Sequence, residues 1–252
     1  MSLNNNLEEY QDPDLYDFEN EAFLEDFSMI EEFAKQVNGP VIELACGTGR
    51  IALRLAEQGI ETVGVDLHEK MLSKAKEKAN AKEIDVRLVT QDCTKLDLDI
   101  KSSFVFMVGN SFQHFLSNQE QDDLLSSVYR HLKKGGLFLF GTRFPSKEEL
   151  MQSEQEEYWR SYHDTAGQKV DVYTVSQYDD LAQIQTYKTI RRSKENEEIT
   201  HIQLRYVYPK EMERLLTSHG FTIVHQYGRW DKTPLTNQSQ SMIYICKKEK
   251  DE

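Results

Sequence analysis

A glycine-rich turn followed by a carboxylate at the end of the next apolar run is the first feature of this sequence that could do chemistry. The run Gly47-Thr48-Gly49-Arg50-Ile51-Ala52 fits the pattern G-x-G-x-x-A, and Asp66 ends the following apolar segment. Such glycines allow a tight turn and a close approach to a ligand, and the carboxylate can accept from two ribose hydroxyls. The pattern predicts an adenosine-containing ligand such as NAD. A tight strand-to-helix turn that binds nothing is the competing interpretation.

Glu43 narrows the choice of ligand. It precedes the glycine turn within an otherwise apolar segment, where a carboxylate costs free energy unless it meets a donor or a cation. S-adenosylmethionine carries an ammonium group that would meet it, whereas the pyrophosphate of NAD would repel it. No constellation of residues for hydride transfer is evident around this turn. An NAD-dependent oxidoreductase is therefore the weaker alternative.

Polar or small residues also follow the next two predicted strands after Asp66. Gln91, Asp92 and Cys93 follow one strand, and Gly109-Asn110-Ser111 follows the next. An Asp side chain there can accept from the exocyclic amine of adenine. Because the carboxyl ends of parallel strands meet at one edge of a sheet, we expect all these residues to line a single ligand site.

The elements that must position these residues alternate regularly. Apolar patterns predict strands at 41–45, 61–65, 86–90, 103–108 and 137–142, and helices at 19–37, 51–59, 68–79 and 119–132. This alternation predicts a doubly wound α/β fold with a mostly parallel, seven-stranded, Rossmann-like sheet. A helix at 209–219 and strands at 221–227 and 241–247 would complete it.

The segment between these two parts has a different pattern. Residues 147–162 are highly charged and predict a helix, and 169–176, 182–191 and 198–208 alternate apolar and polar residues. We read them as three antiparallel strands. The predicted organisation is a core of residues 1–145 and 209–252 with an inserted, substrate-covering β subdomain of residues 146–208.

Over residues 10–142 the chain resembles the class I S-adenosylmethionine-dependent methyltransferases, specifically their small-molecule branch. The motifs are "LYDFE", "VIELACGTGR", "VGVDLHEKML", "QDCTKLDL", "GNSFQHFL" and "LKKGGLFLF"; beyond residue 145 the likeness is looser. By this resemblance Tyr16 closes over the cofactor, and Asp66 binds its ribose. The remaining implied cofactor residues are Glu43, Ala45, Gly47 and Gly49 at the methionine portion, Leu67, Asp92 and Cys93 at adenine, and Gly109, Asn110 and Ser111 near the methionine portion.

Methyl transfer from a sulfonium requires alignment more than side-chain chemistry, because the leaving group is already excellent. His114, in "NSFQHF", is the best candidate to orient the acceptor or take its proton; it could instead contact adenosine or solvent. Tyr16 is the second catalytic candidate, with ordinary packing as the alternative. The predicted activity is transfer to an N or O atom of a small metabolite. A non-catalytic S-adenosylmethionine-binding module is the other interpretation.

Composition restricts the partners and the compartment. The 252 residues include 43 Asp and Glu against 30 Lys and Arg, a net charge of −13, which argues against a nucleic-acid partner. There is no long apolar run and no charged-then-apolar leader, so we expect a cytoplasmic protein that does not bind membranes. The three cysteines lie far apart, and no metal site is expected. A small-molecule methyl acceptor is the expected partner, and the protein would be a monomer or homodimer.

Overall fold

The computed structural model describes residues 6–151, 153–164 and 166–249. In chain order its strands are β1 (Val41–Leu44), β2 (Thr62–Asp66), β3 (Arg87–Thr90), β4 (Ser102–Met107), β5 (Leu132–Arg143), β6 (Glu157–His163), β7 (Lys169–Asp179), β8 (Ile184–Arg192), β9 (Glu197–Arg205), β10 (Phe221–Tyr227) and β11 (Ser241–Lys248). Its α-helices are α1 (Pro13–Asn20), α2 (Phe27–Ala34), α3 (Ala52–Glu57), α4 (Glu69–Ala81), α5 (Asn118–His131), α6 (Lys147–Leu150) and α7 (Pro209–Ser218).

The larger sheet has seven strands in the order β10, β11, β5, β4, β1, β2, β3. Strands β1 to β5 pair in parallel, and β11 runs antiparallel to both β5 and β10. The predicted doubly wound α/β sheet is confirmed. No helix within the described ranges is both long and apolar enough to cross a bilayer.

The centre of this sheet is buried because its strands are apolar on both faces, as parallel strands covered by helices must be. Phe104 and Phe106 of β4 stack on one face at 5.4 Å between ring centroids, and Phe138 and Phe140 of β5 stack on the other at 4.9 Å. This packing fixes the strand ends at which the predicted site residues lie.

The prediction of one helix over 19–37 is wrong, because the chain forms α1 and α2 with a turn between them. Arg50 explains the break: its Nη1 donates to the carbonyl of Phe23 at 2.6 Å and to Oδ1 of Asp26 at 2.8 Å. Asp26 is fully buried. The carbonyl of Phe23 thus bonds to a distant guanidinium rather than within a helix.

The smaller sheet is antiparallel, in the order β6, β7, β8, β9. The helix predicted over 147–162 is wrong: α6 is a single turn, and 157–163 form β6, so this sheet has four strands instead of three. Aromatic residues favour a strand here, and Tyr158 packs against Tyr173 of β7 at 5.7 Å between ring centroids.

Residues 6–20 connect the two sheets. Glu9 pairs with Arg191 of β8 at 2.9 Å and accepts from the hydroxyl of Thr200 at 2.6 Å. On the other side, the carboxylate of Asp17 in α1 bonds to Thr48 in the glycine turn and to Lys78 of α4. The segment 6–20 therefore covers the edge of the larger sheet while it is held by the smaller one.

Candidate functional site

One cavity lies at the carboxyl ends of β1, β2, β3 and β4, beneath residues 6–16. Ten of the thirteen predicted site residues line it: Tyr16, Ala45, Gly47, Asp66, Leu67, Asp92, Cys93, Gly109, Ser111 and His114. Glu43, Gly49 and Asn110 are not in its wall. The sequence motifs therefore converge in space, as expected for strand ends of a parallel sheet.

The glycine turn after β1 is built from left-handed backbone conformations. Ala45 has φ 53°, Gly47 φ 55° and Gly49 φ 79°. A Cβ atom on Gly49 would lie 2.9 Å from Cγ of Leu53, so this glycine permits α3 to pack closely behind the turn. Gly47 faces the cavity, where a Cβ atom would approach Met71. The two glycines thus have different tasks, one at the cavity wall and one in packing.

Asp66 ends β2 and ties two loops together. Its Oδ2 accepts from the backbone N–H of Gly47 at 2.7 Å, and its Oδ1 accepts from the N–H of His68 at 2.8 Å. Burial raises the pKa of Asp66, although both hydrogen bonds favour its charged form. Each oxygen keeps a second lone pair that can accept from a ligand hydroxyl.

Glu43 is the buried carboxyl of β1, with 1% exposure. Its Oε2 has no hydrogen-bond partner among the described residues. Burial raises the pKa of Glu43 to about 8, and the charge of Arg50 only partly opposes this. A buried carboxyl in this state gains its charge when a cation comes close.

The ends of β3 and β4 complete the cavity. Oδ1 of Asp92 accepts from the backbone N–H of Thr94 at 2.9 Å and from its hydroxyl at 2.7 Å, which fixes the carboxylate. Burial raises the pKa of Cys93 to about 12, so its thiol stays protonated and is no nucleophile near neutral pH. Asn110, with φ 59°, forms the tight turn between Gly109 and Ser111.

His114 lines the cavity where Asn6 and Tyr10 cover it. Its Nδ1 lies 3.2 Å from Nδ2 of Asn6, and its Nε2 lies 2.9 Å from the hydroxyl of Tyr10. Burial lowers the pKa of His114 to about 4, and the charge of Arg143 acts in the same direction. The imidazole is therefore neutral at physiological pH.

Arg143 is a cation under the smaller sheet that the sequence did not single out. It ends β5, and its Nη1 donates to Glu149 at 3.0 Å and to the hydroxyl of Tyr187 at 3.2 Å. The buried hydroxyl of Tyr206 donates to the same Glu149 oxygen at 2.5 Å. The Arg143 side chain remains 36% exposed.

Comparison with known proteins agrees with this geometry. Residues 41–136 match the methyltransferase domain family. The CcbJ methyltransferase of Streptomyces caelestis superposes with a TM-score of 0.79 at 28% identity, over 88% of this chain and 94% of that one. The chain carries a methyltransferase domain and has the fold of the class I S-adenosylmethionine-dependent methyltransferases. The cofactor of that class is S-adenosylmethionine.

Two sequence relatives of this methyltransferase differ in how much of their length they share. A glycine/sarcosine N-methyltransferase of Halorhodospira halochloris is 26% identical over 94% of this chain and 85% of its own. A relative from Geobacillus sp. (strain WCH70) is 32% identical over 44% of this chain. The matching region spans only 45% of that relative.

Several residues of the methyltransferase cavity were not predicted from the sequence: Asn6, Leu7, Tyr10, His68, Met71 and Phe115. His68 and Met71 lie within the quoted motif "VGVDLHEKML", so their proximity to Asp66 was a usable signal. The sequence contains no such signal for Asn6, because its partner Gln203 lies 197 residues away.

Proposed function

We propose that this protein transfers the methyl group of S-adenosylmethionine to a nitrogen atom of a small amine. The feature that best supports this proposal is the convergence of ten predicted residues on one cavity at the carboxyl edge of the sheet. The wall is built from the ends of four adjacent strands, so its geometry is rigid.

The residues present fit the cofactor. Glu43 is not in the cavity wall itself but lies two residues before the wall residue Ala45, and its unpartnered Oε2 suits the ammonium of the methionine portion, because a cation would relieve the cost of burying this carboxylate. Asp66 retains acceptors for the ribose hydroxyls, and Gly47 leaves room for the ligand at the turn. Leu67, Cys93 and Asp92 would surround the adenine, while Ala45, Gly109 and Ser111 would lie along the methionine portion.

S-adenosylmethionine supplies a methyl group on a sulfonium centre that is already an excellent leaving group. The contribution of this chain is then to orient the acceptor and exclude water. Residues 6–20 are suited to that task, since Leu7, Tyr10 and Tyr16 line the cavity. The smaller sheet holds this segment in place through Gln203 and Arg191. We therefore propose that residues 146–208 form a substrate-covering subdomain on a core of residues 1–145 and 209–252.

The acceptor is an amine that also bears a carboxylate. The relative from Halorhodospira halochloris is a glycine/sarcosine N-methyltransferase and matches nearly the whole chain. The Arg143 side chain is partly exposed and close enough to His114 for its charge to lower the pKa of that imidazole, and a guanidinium binds carboxylates well. Glycine and sarcosine are accordingly the first acceptors to test.

The test measures transfer of labelled methyl groups to a panel of amino acids, amino sugars and hydroxylated metabolites, with products identified by mass. We expect transfer to a carboxylate-bearing amine. Calorimetry with S-adenosylhomocysteine and NADH accompanies the panel. Binding of S-adenosylhomocysteine without transfer to any acceptor would favour a non-catalytic binding module, and binding of NADH alone would favour an oxidoreductase.

A further inference from the structure

Asn6 joins the smaller sheet to the cavity. Its Oδ1 accepts from the backbone N–H of Gln203 at 2.6 Å, and its Nδ2 donates to the carbonyl of Gln203 at 2.9 Å. Gln203 lies on β9, one of the two edge strands of the smaller sheet. The amide of Asn6 thus meets both backbone groups of one residue, much as a neighbouring strand would.

These two bonds fix which end of the Asn6 amide is nitrogen. A reversed amide would put its oxygen against the carbonyl of Gln203 and its NH₂ against the N–H, and both bonds would be lost. The second hydrogen of Nδ2 is therefore available to Nδ1 of His114 at 3.2 Å. Because an NH₂ group only donates, Nδ1 of His114 accepts.

The state of His114 then fixes the direction of the next bond. The ring is neutral, so when Nδ1 accepts, Nε2 carries the proton. Nε2 lies 2.9 Å from the hydroxyl of Tyr10 and donates to its oxygen. The hydroxyl hydrogen of Tyr10 remains available, and no other hydrogen-bond partner for it exists among the described residues. Tyr10 lines the cofactor cavity.

We propose that Asn6 is a positioning residue that acts through His114 to hold the hydroxyl of Tyr10 as a hydrogen-bond donor toward the cavity. Tyr10 is the group that touches the bound molecules, and its partner is an acceptor atom such as a carboxylate oxygen. Both ring nitrogens of His114 are engaged in this arrangement, so its role is to orient Tyr10 and not to remove a proton.

The first test is spectroscopic and does not depend on catalysis. Protein labelled with ¹⁵N-histidine contains seven histidines, and a His114→Gln variant identifies the His114 signals. We expect Nε2 to be protonated and Nδ1 to be unprotonated at neutral pH. In Asn6→Ala the Nδ1-protonated form should appear. A charged ring, or protonated Nδ1, in the unmodified protein would overturn the proposal.

The second test is kinetic and rests on the proposed function. We expect Tyr10→Phe and Asn6→Ala each to lower kcat/KM by about tenfold, typical of one lost hydrogen bond in a site. The double variant should be little worse than Tyr10→Phe alone, because Glu8 and Glu9 still anchor the segment to β9 and the remaining effect of Asn6 on the reaction passes through Tyr10. His114→Gln, which keeps a donor near Nε2, should retain more activity than His114→Leu.

Glu8→Gln is the matched control. Glu8 also anchors the N-terminal segment to β9, through the backbone N–H of His201 at 2.8 Å, but it does not reach His114. Its activity should stay near that of the unmodified protein. Additive losses in the Asn6 and Tyr10 double variant would contradict the proposal. If no acceptor is found, the histidine spectra still test the proposed roles of Asn6 and His114. Calorimetry with S-adenosylhomocysteine shows separately whether the cofactor binds.

Discussion

The backbone N–H of Gly47 donates to Oδ2 of Asp66 at 2.7 Å and so ties the turn after β1 to the end of β2. The carboxylate thus holds the cavity wall together as well as offering acceptors to a ligand. A substitution at Asp66 should affect the shape of the glycine turn and ligand binding together.

Asp66→Ala removes the acceptor for both backbone N–H groups. We expect affinity for S-adenosylhomocysteine to fall by about 1.5–3 kcal/mol, the range for a hydrogen bond to a charged group. Asp66→Asn should be intermediate, since its amide oxygen keeps one of the two bonds. Calorimetry measures the affinity, and Asp99→Asn, at an exposed ion pair with Arg87, serves as the control. Unchanged affinity in folded Asp66→Ala would remove Asp66 from the binding site.

Glu43 should make the stability of the ligand-free protein depend on pH. Its folded pKa of about 8 lies above the ordinary value of 4.5. As pH rises between these values, the unfolded chain loses this proton while the folded chain keeps it. Stability therefore falls by roughly 1.4 kcal/mol per pH unit from this group. Urea unfolding at several pH values should show a shallower decline for Glu43→Gln. The exposed Glu57→Gln should leave the slope unchanged, and an unaltered slope in Glu43→Gln would contradict the raised pKa.

The same group should couple cofactor binding to proton release. If the ammonium of the cofactor meets Glu43, the carboxyl must ionise, so binding near pH 7 should release about one proton. Calorimetry in two buffers with different ionisation enthalpies measures this number. Glu43→Gln should abolish the release. Equal apparent enthalpies in both buffers for the unmodified protein would exclude this role of Glu43.

The fold was predictable where local pattern decides and not where distant partners decide. The alternation of strands and helices and the glycine turn come from short-range signals, and these predictions are confirmed. The helix over 19–37 failed because Arg50, far along the chain, bonds to Phe23 and Asp26. Charge over 147–162 suggested a solvated helix, whereas Tyr158 and its neighbours pair with β7.

Only part of the site could be predicted from the sequence, because only part of it depends on local pattern. Strand ends gather at one edge of any parallel sheet, so Asp66, Asp92 and Ser111 could be brought together from their spacing. The contacts of His114 with Asn6 and Tyr10 join residues 108 and 104 positions apart. No periodicity or motif encodes that contact, which depends on how the smaller sheet holds the N-terminal segment.

Catalysis should not require a metal ion. A sulfonium transfers its methyl group without a Lewis acid, so chelation should leave the rate unchanged. The experiment compares initial rates with and without EDTA, using protein dialysed against chelator. Loss of activity that a divalent cation restores would overturn this expectation.

The ion pair between Glu9 and Arg191 should keep the N-terminal segment closed over the cavity. Both side chains are largely buried, with 15% and 6% exposure. Burial alone would raise the pKa of Glu9, but the hydrogen bond from Thr200 and the charge of Arg191 lower it. This stabilisation is present above the ordinary pKa of 4.5 and is lost as pH falls through the lower folded value.

Arg191→Met leaves Glu9 without its cation, and removing one partner of a buried pair costs about 3 kcal/mol or more. Faster amide exchange of residues 6–20 would report the opening, and Arg192→Met, at an exposed pair, should leave exchange unchanged.

Removal of the smaller sheet should separate cofactor binding from methyl transfer. The deletion should begin at residue 157, the start of β6, because β6 pairs only with β7 among the described strands. It should end at residue 204, so that Tyr206, which is buried next to Glu149, stays in place. A short Gly/Ser linker would replace the deleted residues. The cavity wall comes from the larger sheet, so we expect affinity for S-adenosylhomocysteine to stay within about tenfold. Transfer should collapse, since the acceptor loses its cover and residues 6–10 lose Gln203 and Arg191 as anchors.

Arg191→Met is the matched comparison, because it loosens the same segment while the cover remains, and its transfer should fall less. Retained transfer in a folded excision variant would show that the acceptor binds elsewhere and that the smaller sheet serves another purpose.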